Sequence, residues 1–584
     1  MAGTAPDCWK VGKVVLIFKR GEKTDLANYR HLTVLPVVGG LYSRVMNQRL
    51  SQAVEERMLL GKIQQGFRKG RCGSDNTFIL NTILMKAGAK GQKVHLAFLD
   101  LMKAYDTVLR RILWQKMVKM GFGGTFLGGL QALYDGDSVV TEINGKISKP
   151  VFLGRGLRQG CSLSPCLFAL YMVEWGKELE KVKVGVKVGS VVISALFFAD
   201  DVLLISRTPQ GLNKLIQVST RQCKIMRMKI STKKSQVISP MRDTWDLRDD
   251  EGNVVDSLEK VLSYKYLGVD AFNTMTRTSN FKQRKCIIAA RKYRGATKYL
   301  SRRGPDVVSL ARCSWTCVAV PALTFGTEFV MFSQATFDSL EREQASWAKE
   351  TLNLPVYTPN VVTQVIMGVP CLQEVIWNKQ LKAYKRLDML EDTRLAAQAM
   401  WEHKYGGWVS PYLGYISKVR EQLGLLVLPT SNRGIEEATR SFMMEKVNSK
   451  IDSFKDKPAL RRVKELKTSR TAFEGEDARW INKMWMGVSG VQLRQGEWES
   501  RCQEDGSKNT ELHSITECTS TVKARKETGI QRYFNLNKMN GVKVKTAYRR
   551  FVSGLDEYDE EIGFEDYMNR GSSMKTVMSA KFAT

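Results

Sequence analysis

Histidine is nearly absent from this 584-residue chain, which holds only His31, His95, His403 and His513. That scarcity disfavours the side chain most used for proton relays near neutral pH and for ligating transition metals. The 11 cysteines form no C-x-x-C motif; Cys161/Cys166 and Cys313/Cys317 are the close pairs, and both lie in apolar or helical surroundings. A disulfide framework is therefore not expected, and the cysteines read as reduced, buried thiols of an intracellular protein. Cys502, His513 and Cys518 offer three zinc-type ligands but no fourth at the usual spacing, so zinc is not expected either. Long apolar runs are missing too. The first, Val14–Phe18, is too short and too late for a signal peptide, and no window reaches the roughly 18–20 apolar residues of a membrane span. The expectation is a protein of the nucleus, the cytoplasm or both, neither secreted nor membrane-spanning.

Negative charge is also in short supply. Against 90 Lys and Arg stand 59 Asp and Glu, a net +31. Such an excess points to a polyanionic partner, nucleic acid or an acidic membrane surface. The basic residues recur along the whole chain instead of forming one tail, which favours long grooves over a single anchoring arm. The hydrophobic fraction, 43%, is ordinary for a globular protein.

What the chain does have is ALFFADDVLLIS (Ala195–Ser206), where Asp200 and Asp201 interrupt two short apolar runs. The runs read as buried strands and Ala-Asp-Asp as the tip of a hairpin. Carboxylates beside so much apolar surface need a cation, and Mg²⁺ prefers oxygen ligands of this kind. A solvated turn is the alternative, because Asp is a common turn residue.

The surrounding chain supplies context. Residues 10–35 read as two strands around a basic glycine turn carrying Lys19 and Arg30. Val38, Leu41, Val45, Met46, Leu50 and Ala53 keep helical spacing, and the loop that follows can be capped into the next helix by Ser74 or Asp75. Lys93–Leu99 is a strand ending on Asp100, with Tyr105 just after it and an amphipathic helix stopping at Gly121. Residues 138–153 carry a hairpin signature around Asn144-Gly145, GLRQGCSLSP opens an apolar helix, and Thr208-Pro209 caps another. Gln236–Ser239 closes the unit. Without that hairpin-bearing insert and one extra helix, the order from Lys93 to Ser239 is a βαββαβ split arrangement, which can place the end of the Asp100 strand beside the Asp200-Asp201 hairpin on one sheet face. Three carboxylates there suit two Mg²⁺ ions and in-line phosphoryl displacement, with basic residues to meet a triphosphate.

These residues also carry a resemblance. FLDLMKAYD (Phe98–Asp106), GLRQGCSLSP (Gly156–Pro165), FADD (Phe198–Asp201) and KYLGV (Lys265–Val269) occur in the order and rough spacing of reverse transcriptases. Upstream, IFKRGEKTDLANYRHLTVL and QQGFRKGRCGSDN resemble finger segments, and KISTKKS (Lys229–Ser235) resembles the strand region after the catalytic hairpin. The set is most similar to reverse transcriptases of LINE-type, non-long-terminal-repeat retrotransposons, over residues 10 to about 270.

The resemblance implies an α+β right-hand polymerase: fingers at 1–92, a βαββαβ (ferredoxin-like) palm at 93–240 with an insert at 122–155, and a helical thumb at 241–330. A helical region at 331–430 and a basic region of unknown role at 431–584 would follow. It implies Asp100, Asp200 and Asp201 as the Mg²⁺-binding catalytic carboxylates, with Mn²⁺ as a substitute. Lys19, Arg30, Tyr105, Gln159, Gly160 and Lys234 would bind the nucleotide, Tyr105 by excluding a 2′-hydroxyl; Lys233 leaves the register of Lys234 open. Tyr266, Leu267 and Gly268 match the primer grip. The implied partners are an RNA template, a DNA primer and deoxynucleotides. Two departures stand out: Arg30-His31-Leu32-Thr33 replaces the usual Arg-Pro-Ile-Ser, and Ser231 stands where Asn is common. The chain begins almost at the first finger motif, so an endonuclease supplied separately is part of the expectation. The expected function is RNA-directed DNA polymerisation. The alternative is a catalytically silent nucleic-acid-binding remnant of a decayed element, against which the preserved carboxylates argue.

Overall fold

Alternating and fully apolar short runs assemble into a six-stranded sheet in the computed structural model, which describes residues 5–453 apart from 20, 144, 242, 243, 249–251, 301–306 and 353. The order is Thr244–Arg248, Val254–Lys260, Gln236–Ile238, His95–Leu99, Asp201–Ser206, Ala195–Phe198. The last four strands are antiparallel throughout, with Leu99 opposite Val202 and Phe98 opposite both Leu203 and Gln236. Their spatial order, fourth-first-third-second, is the split βαββαβ arrangement expected from the sequence. Leu96, Ala97, Leu203, Leu204 and Ile205 are fully buried, as strands covered on both faces must be. Helices Ser164–Lys181 and Pro209–Ile225 pack on this sheet and on each other. The second starts as expected: Pro209 takes the first turn and the Thr208 hydroxyl accepts the Gly211 N–H at 3.1 Å.

The segment expected to open a helical thumb at 241 is instead four strands. Thr244–Arg248 and Val254–Lys260 extend the sheet, and Ser263–Tyr266 pairs with Val269–Phe272. Trp245, Leu247 and Leu258 point inward at period two, while their charged neighbours disguise the alternation. Helix begins only at Met275. The helical character expected for 331–430 is found in Gln334–Leu352, Asn360–Met367, Leu372–Asp388, Leu395–Tyr405 and Pro411–Gln422.

A second sheet joins Val11–Phe18 antiparallel to Tyr29–Val34 and parallel to Ser138–Ile143, so the insert completes the sheet begun at the amino-terminal end. Of the expected hairpin turn, Asn144 lies outside the described residues. The helix Val37–Glu56 turns a different face inward than its apolar spacing suggested. Gly39, Ser43, Met46, Leu50 and Val54 are buried, whereas Val38, Leu41 and Val45 are exposed. The cause is close approach: a Cβ at Gly39 would stand 3.1 Å from the Trp9 carbonyl oxygen. The next helix, Gly73–Ala89, is capped by Cys72 and not by Ser74 or Asp75; Asp75 contributes from the third helical position, accepting the Cys72 N–H.

The described cysteines are free thiols. Cys161, Cys166, Cys223 and Cys286 are buried as expected, but Cys8, Cys313 and Cys317 are exposed. Cys502, His513 and Cys518 lie outside the described residues, as does the chain beyond 453. No helix among the described residues is long and apolar enough to cross a membrane.

The described residues form two compact units. One contains the residues up to 282 with 328–331 and 383–418; the other contains 283–327, 332–382 and 419–453. The second is helical, and its core includes Trp315 stacked on Trp347 at 4.5 Å. In the first, His403 is buried between Thr82 Oγ1 (2.9 Å from Nε2) and Ser410 Oγ (2.6 Å from Nδ1). Burial pushes its pKa down to about 4. A histidine depressed on folding stabilises fully above its unfolded pKa, about 6.5, and that contribution is lost as pH falls toward 4. We expect acidification over this window to cost about 3 kcal/mol at this residue. Urea unfolding of the parent and of His403→Gln at pH 7 and pH 4.5 checks it; an equal pH dependence in both would refute the assignment.

Candidate active site

The antiparallel register fixes the site. Asp201 pairs with Phe198, leaving Ala199 and Asp200 as the two central residues of a hairpin turn. Leu99 pairs with Val202, so Asp100, one residue beyond the end of its strand, arrives beside the same turn. Burial first, then the neighbouring carboxylates, pushes Asp201 up to about 6. Asp200 is also raised by burial and by Asp100, against the pull of Arg30 and Lys234. Asp100 is raised by burial, opposed by Lys234 and Lys19. Lys234 Nζ lies 3.8 Å from Asp100 Oδ1. The turn after the helix Pro209–Ile225 wraps the end of the Asp100 strand: the Asp100 N–H donates to Ser235 Oγ at 2.9 Å and the Ser231 N–H to the Asp100 carbonyl at 2.8 Å.

Ala199 has φ +60°, in the first central position, where such turns favour glycine. A strained turn persists only if its surroundings hold it. Here the chain at 63–67 does so. Phe197 exchanges backbone hydrogen bonds with Ile63 and Gln65, both 2.9 Å, and Gln64 Oε1 accepts the N–H groups of Ala199 (3.1 Å) and Gly66 (3.0 Å). A Cβ on Gly66 would stand 2.4 Å from the Ala199 nitrogen. Sequence reasoning missed Gln64 and Gly66 as site residues, although they lie inside a quoted motif. Gly66→Ala is expected to push the turn aside and to speed hydrogen exchange across 195–201 about tenfold, as local opening is eased. Hydrogen exchange by mass spectrometry, with circular dichroism to confirm folding, measures it; exchange at the parent's rate would show that the turn tolerates the shift.

The Tyr105 ring stacks on Phe168 at 4.8 Å, and its hydroxyl pKa is raised by burial and by the charge of Asp200. Gln159 and Gly160 meet the second amino-terminal strand. The Thr33 N–H donates to the Gln159 carbonyl at 2.6 Å, and a Cβ on Gly160, at φ +110°, would lie 2.5 Å from the Thr33 oxygen. Beneath this loop is a group that sequence reasoning missed. Asp137, fully buried, takes a two-pronged bond from Arg110 (2.7 and 3.0 Å) and lies 3.7 Å from Arg158 Nε. Both guanidiniums flank the Tyr134 ring, at 5.0 and 4.8 Å.

Tyr266 ends one strand of a hairpin whose two-residue turn is Leu267 (φ +47°) and Gly268 (φ +84°). Its hydroxyl accepts from Asn76 Nδ2 at 3.0 Å, and Tyr264 of the same strand stacks on Phe98 at 4.3 Å. The structure thus brings Asp100, Asp200 and Asp201 within electrostatic reach of one another, with Lys19 and Lys234 acting on Asp100, Arg30 and Lys234 on Asp200, and Asp200 on Tyr105. Tyr266 also feels the charge of Asp201, whereas Gln159-Gly160 and the turn Leu267-Gly268 share no described hydrogen bond with the carboxylates.

The donor set of Asp100, Asp200 and Asp201 fits hard divalent cations, since carboxylates that raise one another are relieved by a cation. Among the described residues no three such side chains already stand as a cluster able to hold a metal ion, so the carboxylates are neighbours and not a finished cage.

Residues 19–271 match the family described as reverse transcriptase (RNA-dependent DNA polymerase). The chain is 27% identical over 241 residues to the Pol polyprotein of the R2 retrotransposable element of Popillia japonica, covering 41% of this chain and 33% of that protein. It is 25% identical to the transposon TX1 149 kDa protein of Xenopus laevis (50% and 22% covered) and 21% identical to the probable RNA-directed DNA polymerase from transposon BS of Drosophila melanogaster (64% and 41%). The chain thus spans less than half the length of these relatives. Among solved structures, telomerase from Candida tropicalis aligns over 79% of this chain and 68% of its own, with 11% identity and a TM-score of 0.33. Over residues 19–271 this chain carries a domain of the reverse transcriptase family, related to the polymerases of non-long-terminal-repeat retrotransposons.

Proposed function

We propose that the protein is an RNA-directed DNA polymerase that extends a primer 3′-hydroxyl with deoxynucleotides on an RNA template, using two Mg²⁺ ions that Mn²⁺ can replace. The observation that carries this is the meeting of Asp100, Asp200 and Asp201 at one sheet edge, ringed by Lys19, Arg30 and Lys234. In the reaction the primer 3′-hydroxyl gives its proton to water, its oxygen bonds to the α-phosphorus, the bond from that phosphorus to the bridging β-phosphate oxygen breaks, and pyrophosphate leaves. Bound metal would neutralise charge on the attacking and leaving oxygens, work that phosphoryl transfer needs more than covalent chemistry. Asp100 and Asp200 would hold the ions, with Asp201 assisting. Lys19 and Arg30 would meet the triphosphate, and Lys234 would protonate the leaving group. Tyr105, fixed against Phe168, would present its ring edge to the sugar and reject a 2′-hydroxyl. Gln159-Gly160 would support the templating pair, Tyr266–Gly268 would hold the primer end, and the +31 charge would bind the duplex backbone in a salt-dependent way.

The test is primer extension on an RNA template by the full chain, with Asp200→Ala as control. Incorporation that depends on Asp200 supports the reading. Binding of RNA–DNA duplex with no incorporation in Mg²⁺ or Mn²⁺ would overturn it in favour of a nucleic-acid-binding protein without catalysis.

A further inference from the structure

The helix Gly73–Ala89 has two working sides. On one, Asn76 Nδ2 reaches the Phe197 carbonyl (3.4 Å) and the Tyr266 hydroxyl (3.0 Å), touching both the catalytic hairpin and the hairpin behind it. On the other, Asp75, Phe78, Thr82 and Lys86 follow one another at helical spacing, and each meets the segment 383–418. Arg386 Nη2 lies 2.5 Å from Asp75 Oδ1, Phe78 packs against His403 and Tyr412, Thr82 bonds to His403, and Lys86 pairs at 2.8 Å with Glu402. Glu402 is itself buried and accepts the Gly189 N–H at 2.7 Å. The loop before the helix is tied down as well. Arg394 donates to the Gly70 carbonyl at 2.7 Å, and buried Arg68 donates to the Gln64 carbonyl at 3.1 Å. Gln64 in turn holds Ala199.

We infer that residues 383–418 are a working part of the catalytic centre, and that Arg386 is a positioning residue for the Ala199–Asp200 turn, acting through Asp75 and the helix Gly73–Ala89. This lies more than a hundred residues beyond the end of the family match at 271. Asp75 is buried, and its other oxygen accepts the Cys72 N–H at the helix start. Arg386 is the cation in contact with it. Removing that cation leaves a buried carboxylate unpaired at the first turn of the helix, one residue from Asn76. Any adjustment there is delivered to the Phe197 carbonyl and, through the loop, to Gln64.

Only the activity arm of the test rests on the polymerase reading. The full chain is compared with Arg386→Gln, Arg386→Lys, Asp75→Asn and the double variant Arg386→Gln/Asp75→Asn. Hydrogen exchange by mass spectrometry follows peptides spanning 63–67 and 195–201, and single-nucleotide incorporation is measured in parallel. We expect Arg386→Gln to speed exchange in both peptides about tenfold, as local opening is eased. Incorporation kcat should fall about 10- to 100-fold, with nucleotide KM within about twofold of the parent's. Arg386→Lys should retain most of both properties. The double variant should be no worse than Arg386→Gln, because the two residues act as a pair. Unchanged exchange at 63–67 and 195–201 in Arg386→Gln overturns the positioning role, whatever the activity. If Arg386→Gln does not fold, Arg386→Lys and Asp75→Asn decide by the same exchange readout. A parent that incorporates nothing refutes the polymerase reading alone, and exchange still decides this one.

Discussion

Asp200→Asn should abolish primer extension, lowering single-turnover incorporation by at least about 10³-fold, while Asp201→Asn lowers it only about tenfold. The two residues are adjacent and chemically identical, so the difference must come from placement. Asp200 occupies the second central position of the turn, where its carboxyl feels Asp100, Arg30 and Lys234 together. It faces both the partner carboxylate and the cations that would meet a triphosphate. Asp201 is already in the strand, paired with Phe198; successive strand side chains point to opposite faces, so it shares the site less fully. Asparagine keeps the shape of aspartate and the turn's backbone bonds to Gln64, so loss of activity would report loss of charge and not collapse of the hairpin. Circular dichroism and salt-dependent duplex binding, both unchanged in Asp200→Asn, complete the measurement. Equal losses for the two variants would refute the assignment of unequal roles.

What the sequence revealed and what it hid divide along a physical line. Strands 95–99, 195–198 and 201–206 were legible because a buried strand is a short apolar run, and the acidic residues between them had no place in a core. The helices at 164–181 and 209–225 announced themselves through proline and a capping threonine. Thr244–Arg248 and Val254–Lys260 were not legible: the first is the edge strand, the second is exposed at most of its positions although paired on both sides, and charge on the open positions makes both read as loop. The face of Val37–Glu56 was misjudged because burial there follows the close contact of Gly39 with Trp9 and not the positions of valine and leucine. The site shows the same division. The carboxylates lie in motifs, each next to its own strand. Their supports come from elsewhere: Gln64 sits 135 residues from Ala199, and Arg386 sits 311 from Asp75. Such partnerships are fixed by register and packing between distant segments, which no local period encodes. Arg110, Asp137 and Arg158 were hidden in the same way: Arg110 precedes Arg111, Asp137 lies between Gly136 and Ser138, and Arg158 precedes Gln159, so no neighbour in the sequence marks them as buried.

That last group carries the second large prediction. Asp137→Asn should destabilise the unit that contains it by about 3–5 kcal/mol. Asp137 is 0% exposed, and it supplies the negative charge for two guanidiniums that are nearly as buried. Arg110 donates to both of its oxygens and to the carbonyls of Gly156, Tyr134 and Leu153, while Arg158 donates to the Leu133 carbonyl and leans on Asp137 with Nε. Neither arginine can shed its proton, so an uncharged residue at 137 leaves two buried positive charges beside Tyr134 without a counter-ion. The carbonyls satisfy hydrogen bonds but not charge. A surface pair offers the contrast: Asp246 and Arg248 are about two-fifths exposed, and Asp246→Asn should change stability by less than about 1 kcal/mol. Because Arg158 immediately precedes Gln159, and its carbonyl is bonded by Ser164 Oγ at 2.7 Å, Asp137→Asn should also disorder the loop that meets Thr33. Activity should then fall at temperatures where the variant is still folded. Urea unfolding of both variants against the parent decides between a charge cluster that ties residues 133–158 to the helix Arg110–Lys119 and one that is merely enclosed: a loss below about 1 kcal/mol for Asp137→Asn would mean that the carbonyl cradle alone is enough for the arginines.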